Sequence, residues 1–295
     1  NNKEITIKNM KKFFREIEKK YLKKFFLRSK LLSTIIFMPL LYIFGWILAT
    51  PLLLIGLDKD DLSLTGTIFT FCIFVFSLPK WFEIRWGLKN TWTSLGIKKI
   101  DKNRNFIFYF IKGFLLSIIL ISLILIPIIG TQWGSWIGKI SPDIIINAIL
   151  LIIGVGFAEE LIFRGWLLEE LKNQFGLKKA IIAQASIFSI VHIGFDIPFW
   201  QMTSILSGLF LLGILLSLIR LKDKNSLWGC IGLHGGLVGL WFITNNGLLD
   251  ISKDYPKWIF GPGNPLGGIL GIFILLVFCF FYLKSYKKRT QIFRE

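Results

Sequence analysis

The sequence predicts an all-α polytopic membrane protein, an eight-transmembrane-helix bundle preceded by an N-terminal amphipathic interfacial helix. Two observations predict it. Runs of about 20 apolar residues, each long enough to span a bilayer, recur along the chain. They account for a composition that is 54% hydrophobic over 295 residues, with 29 Phe and 11 Trp. The second observation is where the charge falls. Spans are expected at roughly 31–57, 62–82, 106–130, 142–163, 178–196, 198–219, 226–244 and 265–283. With the N-terminus inside, all 35 Lys and Arg except Lys59, Lys139, Lys253 and Lys257 fall on the inner side. An odd number of spans would put one basic tail outside, so this asymmetry predicts an even count with both termini cytoplasmic. The net charge of +17 is thereby read as topological, with attraction to anionic headgroups and no nucleic-acid partner.

The elements follow in order. Residues 1–30 form a cytoplasmic basic segment in which Lys and Arg alternate with Ile, Phe, Tyr and Leu at helical spacing, as in a helix lying at the membrane surface. The basic region is too long for a cleaved signal peptide, and no A-x-A site follows the apolar run. Residues 31–283 make up the transmembrane domain, and 284–295 form a basic cytoplasmic tail. The loop near 83–105 carries Trp86 and Trp92 and suits the interface. The segment from Pro142 to about Phe175 reads as one long helix, opened by Pro142 and ended by Gly176. Past Arg164 it carries Glu169, Glu170 and Lys172, and it is expected to emerge from the bilayer there. The outer loop 245–264 is rich in Gly and Pro and is expected to be irregular. Glycines at 154–156, 229–239 and 267–271 mark faces of close helix approach. Cys72, Cys230 and Cys279 lie within spans without metal-ligand spacing and read as packing residues.

Ionisable residues in apolar spans are costly, so each one marks a candidate site. The chain has two histidines, His192 and His234, each on its own span, and a third span carries Glu159, Glu160 and Arg164. Glu160 and Arg164, four apart, share a helix face and can pair. Glu159 lies about 100° around that helix, outside the pair, and is a candidate general base. Two chemistries remain open. Glu159, His192 and His234 could ligate a zinc ion with water completing the site, although H-E-x-x-H is absent. A metal-free mechanism is equally compatible: a Glu and a His polarise water and the second His faces the oxyanion. On straight helices His192 sits about 21 Å above the inner boundary and Glu159 lower. The two meet only if the Glu159 helix sits high or the His192 helix is tilted, and a water-filled cavity is expected to reach them.

These motifs resemble the CPBP family of membrane proteases, which includes type II CAAX prenyl endopeptidases and bacteriocin-processing or self-immunity proteins. The resemblance rests on Glu159-Glu160-x-x-x-Arg164, Phe188-x-x-x-His192 and His234, with Asn264-Pro-Leu-Gly-Gly as wider context, over residues 140–283. It implies an intramembrane endopeptidase acting on a membrane-associated, lipidated or otherwise anchored peptide; separately, richness in Lys, Ile, Asn and Phe suggests an AT-rich genome and fits a bacterial inner or plasma membrane. Glu159 and His192 would activate water, His234 would face the oxyanion, and Glu160, Arg164 and Phe188 would support the site. The family often has Asn four residues after the last His, where this chain has Val238. That departure keeps a non-catalytic immunity or scaffold protein as an alternative. A proton-coupled transporter is a further alternative, although the internal symmetry common in such folds is not evident.

Overall fold

A computed structural model describes residues 30–97, 105–194 and 196–292. The amphipathic helix expected in residues 1–30 lies outside the described residues apart from Lys30. Two compact units divide the chain, 1–94 and 95–295. The first contains the helix Lys30–Ala49, extended by a 3-10 turn to Ile55, the helix Leu62–Trp86 and a short helix Thr91–Ser94. The two long helices pack as a hairpin. At its tight end a side chain on Gly45 would strike Thr70 and the Gly66 carbonyl. At the other end Phe37 stacks on Trp81 with centroids 3.9 Å apart. There the buried Arg85 donates to the Lys30 carbonyl at 2.8 Å and to the Thr34 hydroxyl at 3.0 Å.

In the second unit, the helix Trp228–Ile243 is the hub, packed against Phe106–Gly130 on one side and the long Pro142–Phe175 helix on the other. Its glycines make that position available. A methyl on Gly235 would lie 2.1 Å from the Ile152 carbonyl oxygen, and one on Gly156 would lie 2.7 Å from Gly235 Cα. Backbones this close can carry only hydrogen between them, which is how small residues drive helix association in lipid. The Pro142–Phe175 helix bears out the single long helix that the sequence predicts. It is interrupted by two π-helical stretches, Leu151–Val155 and Leu161–Leu167, on either side of the Glu pair. Such widened turns re-aim side chains and recur at functional sites. Gly176, at φ 81°, ends it.

Among the described residues, six helices are long and apolar enough to cross a membrane. The two that carry the histidines are shorter. Leu177–Ile190 has 14 residues and Trp228–Ile243 has 16, against the roughly 20 that a bilayer core requires. The apolar residues just after Ile190 read as helix by hydropathy, but helix geometry stops there and His192 sits in the turn beyond. The next helix, Phe199–Lys222, begins after Pro198. Glu169 and Glu170 are buried against protein. Glu169 is paired there with Arg220 of the Phe199–Lys222 helix, itself buried, whose Nη2 lies 3.0 Å from Glu169 Oε1. The outer loop holds regular structure that the sequence does not signal. Leu249–Ile251 pairs antiparallel with Gly134–Trp136, Ser135 opposite Asp250, as a two-stranded ribbon. The last helix, Ile269–Ile292, runs on into the basic residues assigned to a tail.

Candidate active site

The hairpin about Gly176 brings the site together. Glu159 lies seventeen residues before this glycine and His192 sixteen after it, so antiparallel helices leaving the turn carry both to the same height. The mismatch expected from the sequence came from measuring each residue against a membrane boundary instead of against the shared turn. No tilt is required. His234 comes from the hub helix, and the glycine contact with the Glu helix lets its ring reach both carboxylates.

His192 Nδ1 lies 2.7 Å from the Phe188 carbonyl oxygen. A carbonyl only accepts, so Nδ1 carries the proton and Nε2 presents a lone pair. That Nε2 faces Glu159 Oε2 at 3.7 Å. His234 is arranged likewise. Its Nδ1 lies 2.7 Å from Glu160 Oε1, and its Nε2 faces Glu159 Oε2 at 3.8 Å. Both imidazole Nε2 atoms and one carboxylate oxygen therefore converge, and Glu159 Oε2 has no hydrogen-bond partner among the described residues. The Glu159 and His192 side chains are 28% and 34% exposed, whereas Glu160 and Arg164 are fully buried.

Glu160 Oε1 accepts from Arg164 Nη1 at 2.8 Å as well as from His234. The i,i+4 pair predicted from the sequence is present, and it extends through His234 into a three-membered chain. Phe188, fully buried, is the plate beneath it. The Arg164 guanidinium lies 4.0 Å from its ring centroid. Both histidines meet that ring at steep angles, His192 at 5.0 Å and His234 at 5.6 Å between centroids. A cation on a desolvated aromatic face contributes about 2 kcal/mol, so one phenyl ring fixes three polar side chains. Sequence reasoning missed Arg220, which donates from Nη1 to the Arg164 carbonyl. It supports the π-helical stretch from outside.

The donor set of two His nitrogens and a carboxylate suits a divalent metal chemically. Its spacing does not: a tetrahedral site with bonds of about 2.1 Å has edges of about 3.4 Å, shorter than both His–Glu159 separations. No group of three or more His, Cys, Asp or Glu among the described residues could hold a metal ion. A cavity of about 240 Å³ reaches His234, and Val238, Trp241 and Asn264 also line it. Asn245 and Asn246, the other amides near the end of the hub helix, are exposed. Neither lines this cavity.

Two family models match the chain. Residues 141–240 match the type II CAAX prenyl endopeptidase Rce1-like family, and residues 12–90 match a domain of unknown function, DUF8676. The first match covers Glu159, Glu160, Arg164, Phe188, His192 and His234, and it bears out the resemblance drawn from those residues. No curated protein and no solved structure matches the chain.

Proposed function

We propose, from the match of residues 141–240 to the type II CAAX prenyl endopeptidase Rce1-like family, that the protein is a CPBP-type intramembrane protease that hydrolyses a peptide bond of a membrane-associated substrate, anchored by a lipid or an apolar segment. The observation that carries this reading is the convergence of His192 Nε2, His234 Nε2 and Glu159 Oε2. A water molecule held between them can donate its two hydrogens to His192 Nε2 and Glu159 Oε2, with His234 Nε2 facing the same point. Glu159 takes one proton as the water oxygen bonds to the scissile carbonyl carbon and the carbonyl π pair moves onto oxygen. His192, fixed by Phe188, orients the water. Collapse breaks the C–N bond, and Glu159 returns the proton to the leaving nitrogen. His234 faces the oxyanion. Its Nε2 donates only when the ring has taken a second proton from solvent before substrate reacts, and the Glu160 carboxylate that holds Nδ1–H favours that form much as the aspartate of a serine-protease triad does.

No step is routed through a metal. The test is cleavage of a quenched peptide library by the purified protein in detergent micelles. Glu159→Gln and His192→Ala are expected to lower turnover about 100- to 10,000-fold each, and a chelator to leave it unchanged. Loss with chelator and recovery with zinc would reinstate the two-His-one-carboxylate metal site. Cleavage that survives both substitutions would sink the protease reading. The non-catalytic binding reading draws its support from Val238, and it predicts no cleavage by the wild type.

A further inference from the structure

One oxyanion donor is missing from the hub helix. Val238, one turn past His234, lines the 240 Å³ cavity with an apolar side chain. His234 is the donor that remains on this helix, and its Nδ1–H is held by Glu160 while Nε2 is turned toward Glu159. We propose that the side-chain amide of Asn264 is the second oxyanion donor, supplied from the loop before the last helix; the proposal rests on the hydrolase reading above.

Three observations carry it. First, Asn264 lines the same cavity as His234 and Val238. Trp241, which also lines it, donates its indole N–H to the Gly263 carbonyl at 3.3 Å. Among the lining side chains, His234 and Asn264 therefore supply the remaining polar atoms. Second, the orientation of the amide is fixed. Asn264 Oδ1 accepts from the Leu266 N–H at 3.0 Å, capping the 3-10 turn Pro265–Gly267. Flipping the amide would set its NH₂ against that N–H, so the nitrogen is the free end. Third, the backbone beneath it is held. The Asn264 carbonyl accepts from the Gly267 N–H at 3.0 Å, and a side chain on Gly261, at φ 91°, would lie 2.0 Å from that carbonyl oxygen. The amide is thus anchored by its oxygen and leaves two N–H groups for a ligand. A donor anchored in advance costs no reorganisation when charge develops, the condition under which oxyanion donors are most effective. It is also neutral, and needs no second proton as His234 does.

The experiment uses the full chain in detergent micelles with the quenched peptide library. Asn264→Asp keeps the shape and the acceptor for Leu266 N–H, but removes the donor and sets negative charge beside the developing oxyanion. Turnover is expected to fall about 100- to 1,000-fold, with KM within about twofold and the melting temperature unchanged. Asn264→Ala is expected to lose a similar factor in rate and also some melting temperature, since the cap goes too. Full activity in Asn264→Asp beside an inactive Glu159→Gln overturns the Asn264 assignment and leaves the hydrolase reading standing. So does rate loss in the Ala variant alone, which would show a cap and nothing more. Cleavage that persists in Glu159→Gln overturns both.

Discussion

Glu159 and Glu160 are adjacent in sequence, and the helix turns them to different neighbours. Glu160, fully buried, holds Arg164 and His234 through one oxygen; Glu159, partly exposed, faces the Nε2 atoms of both imidazoles. The arrangement makes the two carboxylates separable by mutation. Glu160→Ala leaves a buried guanidinium and a buried imidazole without their anion, a change that costs about 3 to 5 kcal/mol in buried pairs. The variant is expected to melt well below the wild type or to fail in purification. Glu160→Gln can still accept from both neighbours but cannot stabilise a doubly protonated His234. It is expected to fold, to bind substrate with little change in KM, and to lose about 100-fold or more in kcat. Melting curves in detergent beside kcat and KM check both. The Glu pair, Arg164 and the two histidines were legible in the sequence because ionisable groups stand out against apolar spans. Arg220 and Asn264 were not. Arg220 lies near the end of its helix, where a cation is ordinarily read as topological, and Asn264 sits in a loop whose amides look solvated.

The helices were legible where their apolar runs were long, and the boundaries were misread where apolarity outlasted helix geometry, as after Ile190. Hydropathy reports what surrounds a residue and carries no information on whether its backbone turns. The π-helical stretches around the Glu pair and the three-residue strands were invisible for a related reason. They depend on hydrogen-bond register and on distant partners, and neither leaves a periodic trace. The glycine contact was foreshadowed, since clustered glycines on an apolar helix mark close approach. At Gly235 it sets a sharp expectation. Gly235→Ala would place a methyl 2.1 Å from the Ile152 carbonyl oxygen, and the hub helix would have to move away from the Glu helix. Overpacking of this kind costs about 1 to 3 kcal/mol. Because His234 reaches Glu160 across the same contact, activity is expected to fall more steeply than stability. Gly154, with open space around its missing side chain, is the control, and Gly154→Ala is expected to match the wild type in turnover and melting temperature.

At the scale of the molecule, the charge distribution and the site together predict a side. The loop that carries Lys253 and Lys257 leads into Asn264, and Trp241 and Gly263 border both the His234 cavity and a second cavity of about 370 Å³ lined by those two lysines. The chamber at His234 thus neighbours the face that bears these lysines. By the positive-inside rule, we predict that this sparsely basic face is the non-cytoplasmic one. A soluble peptide should therefore reach the site from the non-cytoplasmic side, and a membrane-anchored substrate should present its scissile bond there. Single cysteines in a background lacking Cys72, Cys230 and Cys279 read this directly in intact cells. A membrane-impermeant maleimide is expected to label Lys257→Cys, and to label Lys284→Cys only after the membrane is opened. The reverse pattern would invert the bundle and move the site to the cytoplasmic face. Labelling of both from outside would mean that an even number of crossings separates the two positions, so that the helix starting at Ile269 does not carry the chain across before Lys284.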